Sequence, residues 1–253
     1  GTLKILKDVS IDIYRGRTVA VVGESGSGKS TVARAIMGLL EPSSGEIMHE
    51  GEVLPSSYKS RGKEQLRRTQ MIYQAADTAI NSKQRIREII GRPLEFYHGL
   101  KGKEQDKRVR ELLSEIDLDP DTYIDRFPGE LSGGQKQRIG IARALAANPD
   151  FIICDEVTSA LDQLVAEGIL RLLKRLQERH NIAYLFITHD IASVRAIADE
   201  IVVMQEGKVV ETGSRAEMFM PPHHPYTELL LSSVPEMDPG WLDSVLTQRT
   251  KID

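Results

Sequence analysis

The stretch Gly23-Glu24-Ser25-Gly26-Ser27-Gly28-Lys29-Ser30-Thr31 directly follows the run Thr18-Val19-Ala20-Val21-Val22. It fits the pattern G-x-x-x-x-G-K-[ST] in full, between a buried strand and the start of a helix, the context that gives the pattern meaning. Glycine admits backbone angles that turn successive N–H groups inward, and such a concavity holds anions. The helix that begins at the loop adds unpaired N–H groups and a partial positive charge. Lys29 is placed to reach β- and γ-phosphates, and the Ser30 hydroxyl to bind Mg²⁺. The stretch therefore predicts a nucleoside triphosphate site.

Outward from the loop, a continuous β-branched run predicts a strand buried on both faces, as in a parallel sheet. Before it, Ile11-Asp12-Ile13-Tyr14 alternates and turns at Arg15-Gly16, which reads as another strand. After it, a helix is expected through Leu40, stopped by Pro42 and Gly45, then a hairpin over residues 45–54 with Gly51 near its turn. Residues 83–148 carry helix signals and almost no strand signal, with one helix over 103–118 and another from Ser132 to about Asn148, ended by Pro149. The alternation of buried strands and helices then resumes: strands at 151–154, 184–188, 201–204 and 208–211, helices at 163–180 and 191–198. A short helix at 225–233 follows Pro221-Pro222. The pattern predicts an α/β fold with a mostly parallel sheet, a helical subdomain inserted at about 83–148 and a C-terminal extension at about 221–253.

Composition narrows the classes. The 253 residues include 33 Lys plus Arg and 37 Asp plus Glu, a formal net charge of −4, so no broad basic footprint for nucleic acid is expected. With 40% hydrophobic and 28% charged residues the chain reads as an ordinary globular protein of one or two domains. No apolar run approaches the ~18 residues that span a bilayer, and Gly1-Thr2-Leu3-Lys4-Ile5 does not open a signal peptide. Cys154 is the one cysteine, which excludes an internal disulfide framework; it is expected to pack in the sheet. The start without methionine is read as that of a fragment or a processed chain.

Two further segments carry chemistry. Phe151-Ile152-Ile153-Cys154 is an apolar strand that ends in Asp155-Glu156, and strand ends in such sheets face the ligand crevice. Asp155 suits a Mg²⁺ shell, and Glu156 suits the polarising of an attacking water. Leu131-Ser132-Gly133-Gly134-Gln135 opens a helix with a good N-cap, and its two glycines leave backbone N–H groups open to a second anion. A second phosphate site in one chain suggests service to a nucleotide held by another protomer.

Taken together, residues 23–31, 131–135, 151–156 and Thr188-His189-Asp190 resemble the nucleotide-binding domain of ATP-binding cassette (ABC) transporters over nearly the whole chain. The resemblance implies a P-loop NTPase core with an N-terminal antiparallel β part, ATP with Mg²⁺, and ATP hydrolysis. It implies a head-to-tail pair of such domains, in which Ser132, Gly133, Gly134 and Gln135 contact the γ-phosphate of the partner's ATP. Gln74, after Tyr73, corresponds to the residue that touches Mg²⁺ or water and reports to the membrane subunits. Residues 159–162, ending in Asp162, correspond to the loop that crosses the dimer. His189 corresponds to the histidine that contacts the γ-phosphate. Two positions depart from the family: no adenine-stacking aromatic precedes Lys7, so that aromatic is expected in a segment upstream of this sequence, and Val157 stands where many members have Pro.

The tail Pro221-Pro222-His223-His224-Pro225-Tyr226-Thr227-Glu228-Leu229-Leu230 and the stretch Arg126-Phe127-Pro128-Gly129-Glu130 are similar to ATPases that energise uptake of oligopeptides, dipeptides, nickel or opines. That likeness implies two transmembrane permease subunits docked near Gln74, against residues 75–98, an extracytoplasmic binding protein as an indirect partner, and a place on the cytoplasmic face of the inner membrane. It also admits one half of a tandem ATPase. No iron–sulfur centre is expected, since no cysteine follows Cys154. The alternatives are a non-transport ABC ATPase, such as a subunit of a phosphonate-degrading assembly, and a DNA-associated ABC ATPase; a GTPase has no use for LSGGQ.

Overall fold

The structure, a computed structural model, describes residues 5–74 and 79–232. Its centre is β1 (Thr18–Val22), buried at every position. On one side β1 pairs in parallel with β6 (Ala183–Thr188), then comes β5 (Phe151–Asp155), then β4 (Thr69–Ile72). On the other side it pairs in parallel with β7 (Glu200–Gln205), and β8 (Lys208–Ser214) closes that edge antiparallel to β7. The six-stranded order is β4-β5-β6-β1-β7-β8, so the sheet is mostly parallel as expected. A separate antiparallel hairpin joins β2 (Ile47–His49) to β3 (Glu52–Leu54). Its turn residues Glu50 and Gly51 both have positive φ (51° and 81°), the geometry that matches the twist of two-residue hairpins.

The helices are α1 (Lys29–Ile36), α2 (Lys63–Arg68), α3 (Ile86–His98), α4 (Gly102–Glu115), α5 (Pro120–Tyr123), α6 (Gly133–Leu145), α7 (Gln163–His180), α8 (Ile191–Ile197) and α9 (Pro225–Ser232). The helices α3 to α6 all lie between the neighbouring strands β4 and β5 in chain order. Their apolar faces, with those of α7, form one core against the sheet, built on Ile86, Ile90, Leu94, Leu112, Leu113, Ile139, Ile152 and Phe186. A second core, under α1, joins Val19, Val21, Val32, Ile153 and Ile187. A third, under α8, joins Ala20, Val22, Val194 and Val203 to Met218 and Tyr226 of the C-terminal segment. Cys154 is fully buried, and burial pushes its thiol pKa well up, which leaves it an apolar packing residue.

Three expectations need correction. Residues 11–14 form no strand: Ile11 and Ile13 pack on the second core without a ladder partner. Alternation reports a one-sided burial, not a neighbouring strand. Helix α1 stops at Ile36 rather than Leu40. Gly38 takes φ +71°, its N–H donates to Ala35 O (2.9 Å) and Leu39 N–H to Arg34 O (2.9 Å), the paired bonds of a left-handed helix stop. Helix α4 ends at Glu115 rather than Leu118 by the same device, with Asp117 at φ +59° and Leu118 N–H donating to Leu113 O at 3.0 Å. Of the residues expected to border a docking groove, Ile80, Ile86, Ile89, Ile90 and Leu94 lie in the core, Phe96 is exposed, and 75–78 fall outside the described residues. Residue 233, expected to end the last helix, also lies outside them.

Candidate functional site

The loop after β1 is shaped from both sides. Gly23, Gly26 and Gly28 all have positive φ (156°, 83° and 106°). At Gly23 a Cβ would lie 2.2 Å from Met204 O, so only glycine passes this point beside β7. The Glu206-Gly207 turn after β7 braces the loop, with Gly207 N–H donating to Ser27 O at 2.9 Å. Ser27, Gly28 and Lys29 are buried, whereas Glu24, Ser25, Gly26 and Ser30 are exposed and Thr31 is half-buried. The Lys29 ammonium donates to Gly23 O (2.6 Å) and Glu24 O (2.8 Å) and approaches Ser27 Oγ (3.4 Å). Burial lowers its pKa, opposed by the negative charges of Glu156, Asp155 and Glu24.

The sheet order brings the acids to this loop, since β5 lies one strand beyond β6, itself beside β1. Ser30 Oγ reaches Asp155 Oδ1 at 3.5 Å. The Asp155 carboxyl is held above its ordinary pKa, first by burial and then by the neighbouring Glu156 charge. Glu156 itself takes φ +52°, an uncommon angle for a side-chain-bearing residue, with its N–H donating to Ile187 O at 2.9 Å. That turn points Oε1 at His189 Nδ1, 2.9 Å away. A carboxylate only accepts, so Nδ1 carries the hydrogen in this contact. Glu156 Oε2 is buried with no hydrogen-bond partner. A buried oxygen left unpaired beside the glycine loop is suited to accept from a water or to ligate a cation. Ser30 and Asp155 supply the hard oxygen donors that suit Mg²⁺.

His189 follows β6 and is exposed; Asp190 caps α8 by accepting from Ala192 N–H (3.0 Å) and Ser193 N–H (3.1 Å), which fixes the turn that carries His189. Gln74 Nε2 donates to Ser159 Oγ at 3.2 Å, so it joins the segment after Glu156. Asp162 caps α7 through Val165 N–H at 3.0 Å. Ser132 caps α6: its Oγ accepts from Gln135 N–H at 3.3 Å, and Gln135 Oε1 accepts from Ser132 N–H at 2.9 Å. Gly134 packs tightly on α7, where a Cβ would lie 2.5 Å from Val165 Cγ1. Residues 23–31, 155, 156 and 189 thus meet at one end of the sheet, and 132–135 pack with 161–165.

One neighbour of the loop escapes sequence reasoning. The Tyr226 hydroxyl accepts the Glu24 N–H at 2.9 Å across 202 positions of sequence. The aromatic in the tail is visible in the sequence; its contact follows only from the packing of α9 against β1 and β7.

Comparison with known proteins decides the family. The ABC transporter family matches residues 6–159, and the C-terminal region of oligopeptide/dipeptide transporters matches residues 210–252. This chain belongs to the ABC transporter family. It is 44% identical over 241 residues to the oligopeptide transport ATP-binding protein OppF of Streptococcus mutans, a match that covers 94% of this chain and 77% of that one. It is 46% identical over 239 residues to OppF of Haemophilus influenzae, covering 94% and 72% of the two chains. Among solved structures, cbiO1 from Clostridium perfringens, part of the ABC transporter complex cbiONQ, superposes with a TM-score of 0.77 at 31% identity, over 85% of this chain and 84% of that one. The cassette MJ0796, solved as a dimer in a post-hydrolysis state with ADP and Pi, gives a TM-score of 0.71 at 32% identity over 83% and 90%. The chain is an ABC ATPase, and its relatives favour transport over a soluble assembly. Among the described residues, no helix is long and apolar enough to cross a membrane.

Proposed function

We propose that this chain hydrolyses ATP to power import of oligopeptides or dipeptides, as a peripheral subunit on the cytoplasmic face of a membrane. The observation that carries the substrate class is the match of residues 210–252 to the oligopeptide/dipeptide C-terminal region, joined to a fully formed phosphate loop. Residues 23–31 cradle the triphosphate, with the Lys29 ammonium turned onto the β- and γ-phosphates. Ser30 and Asp155, with Gln74, would hold Mg²⁺, which when bound offsets the charge on the phosphate oxygens. Glu156 Oε2 accepts a hydrogen bond from the attacking water and takes its proton as the water oxygen bonds to the γ-phosphorus and the bond from that phosphorus to the β-phosphate oxygen breaks, releasing ADP and phosphate. His189 is held by Glu156 Oε1 and presents its other nitrogen to the γ-phosphate.

A second ABC ATPase domain, in another chain or in the other half of a tandem, brings its own residues equivalent to Ser132, Gly133, Gly134, Gln135 and Asp162 to the ATP held here. Two permease subunits dock beside Gln74, and an extracytoplasmic binding protein delivers the peptide to them. The helical part at about 83–148 acts as the subdomain between ATP and permease, and about 221–253 as the extension. The test is purification of the tagged chain from native membranes. Two permease subunits should co-purify, and ATP hydrolysis by the reconstituted complex should rise when peptide-loaded binding protein is added. A chain that co-purifies only with soluble proteins would overturn the transport role.

A further inference from the structure

The peptide plane between Gly23 and Glu24 is gripped at both ends. Its carbonyl, Gly23 O, accepts from the Lys29 ammonium at 2.6 Å, and its N–H, on Glu24, donates to the Tyr226 hydroxyl at 2.9 Å. A peptide unit is planar, so fixing the direction of the N–H also fixes the direction of the carbonyl. Tyr226 is itself firmly placed. It is buried with Ala20, Val22 and Val203 in the third core. Its N–H donates to His224 Nδ1 (3.2 Å), and the His224 N–H donates to Glu211 Oε2 on β8 (3.0 Å). The chain of contacts runs from the edge strand through the C-terminal segment to the carbonyl that holds Lys29.

We propose that the Tyr226 hydroxyl is a positioning residue for the phosphate loop: it orients the Gly23–Glu24 peptide, and through that carbonyl the Lys29 ammonium, so that the C-terminal extension sets nucleotide affinity. The proposal rests on the reading of residues 23–31 as the nucleotide site. Without the hydroxyl the plane loses one of its two anchors, and the direction of the Gly23 carbonyl that receives Lys29 is less closely fixed. The buried ring packs without the hydroxyl, so Tyr226→Phe keeps the core.

The experiment compares the parent, Tyr226→Phe and Lys29→Ala in the full chain paired with its natural ATPase partner. ATP hydrolysis is followed at varied MgATP, and amide exchange at Glu24 by NMR on the isotope-labelled chain. Loss of one net hydrogen bond corresponds to about a 2- to 10-fold change. Tyr226→Phe should raise KM for ATP by about that factor, leave kcat within about twofold, speed exchange at Glu24 and leave β1 exchange as in the parent. A merely structural role would lower stability and speed exchange along β1 while leaving KM unchanged. A Tyr226→Phe variant with parental KM, or with parental exchange at Glu24, overturns the proposal. Lys29→Ala separates the two readings. If it retains parental ATP affinity, the phosphate-loop reading fails and the proposal falls with it. If it loses affinity while Tyr226→Phe stays parental, only the role of Tyr226 fails.

Discussion

Replacing Glu156 by Gln tests the chemistry most sharply, because the structure separates the two oxygens of this carboxylate. Oε1 is engaged by His189 Nδ1 at 2.9 Å, while Oε2 is buried and unpaired. The carboxamide has nearly the same shape. Its oxygen can keep the His189 contact, which leaves an NH₂ group where a proton acceptor stood. The water then meets a donor instead of a base. A positioned base contributes about 10²–10⁴ in rate, or roughly 3–5 kcal/mol of barrier, so hydrolysis should fall at least ~100-fold. Binding should survive, because Ser30, Asp155 and the loop N–H groups are untouched. The substitution also removes a negative charge beside Asp155 and the phosphate site, so affinity for MgATP should stay the same or tighten, and ATP should trap a stable pair of domains. The assay is single-turnover hydrolysis at saturating MgATP, with the chain paired with its natural ATPase partner. A variant that turns over near the parental rate would show that another group activates the water.

Two further outcomes are expected. Ser132→Arg places a bulky cation at the N-terminus of α6; ATP binding to the isolated domain should persist while ATP-dependent pairing fails, and light scattering that shows an intact pair would refute the head-to-tail arrangement. Asp155→Asn should abolish Mg²⁺-dependent hydrolysis yet stabilise the nucleotide-free chain. Its raised pKa means the native state holds this proton more readily than the unfolded chain, so native stability falls as pH rises from the ordinary carboxylate range through the raised value. Thermal scans in EDTA should show the variant gaining roughly 2–4 °C per kcal/mol relieved near neutral pH, with the gain vanishing below the ordinary carboxylate range; a gain that does not change with pH would count against the charge argument.

The readability of this chain followed the range of the interactions involved. The loop 23–31 and the pair Asp155-Glu156 were visible because their chemistry is written in adjacent residues, and β5 and β6 because buried parallel strands are continuous apolar runs. Helix α7 follows its amphipathic run over 163–180, and the structure adds what bounds it: Asp162 caps one end and Asn181, at φ +53°, stops the other. By contrast α2 and β4 carry no clear local signal. Thr69-Gln70-Met71-Ile72 is too short and mixed to announce a strand, and it becomes one only by pairing with β5. The error at 11–14 is its mirror image, a good local pattern with no partner to pair with. The ends of α1 and α4 were overrun because the apolar spacing continues past Gly38 and Asp117, where the backbone has already reversed.

The two glycine-rich motifs are legible to different depths for a physical reason. In the phosphate loop the glycines answer to backbone angles and to the passage beside Met204 O, and the polar groups converge on one point. In Ser132-Gly133-Gly134-Gln135 the requirement is partly one of packing. Gly134 has no room for a Cβ against Val165, and Ser132 and Gln135 are occupied in capping each other. The glycine therefore brings α6 close to the start of α7, where Asp162 fixes the turn, and Gln74 joins Ser159 three residues beyond Glu156. Segments distant in sequence are thereby tied to the strand end that carries the acids. A shift in the turn at 156–162 would move Gln74, the capped start of α7 and the helix behind Ser132 together. Such a mechanical connection needs no ligand to exist, and under the proposed function it is what a nucleotide bound at this strand end would act upon.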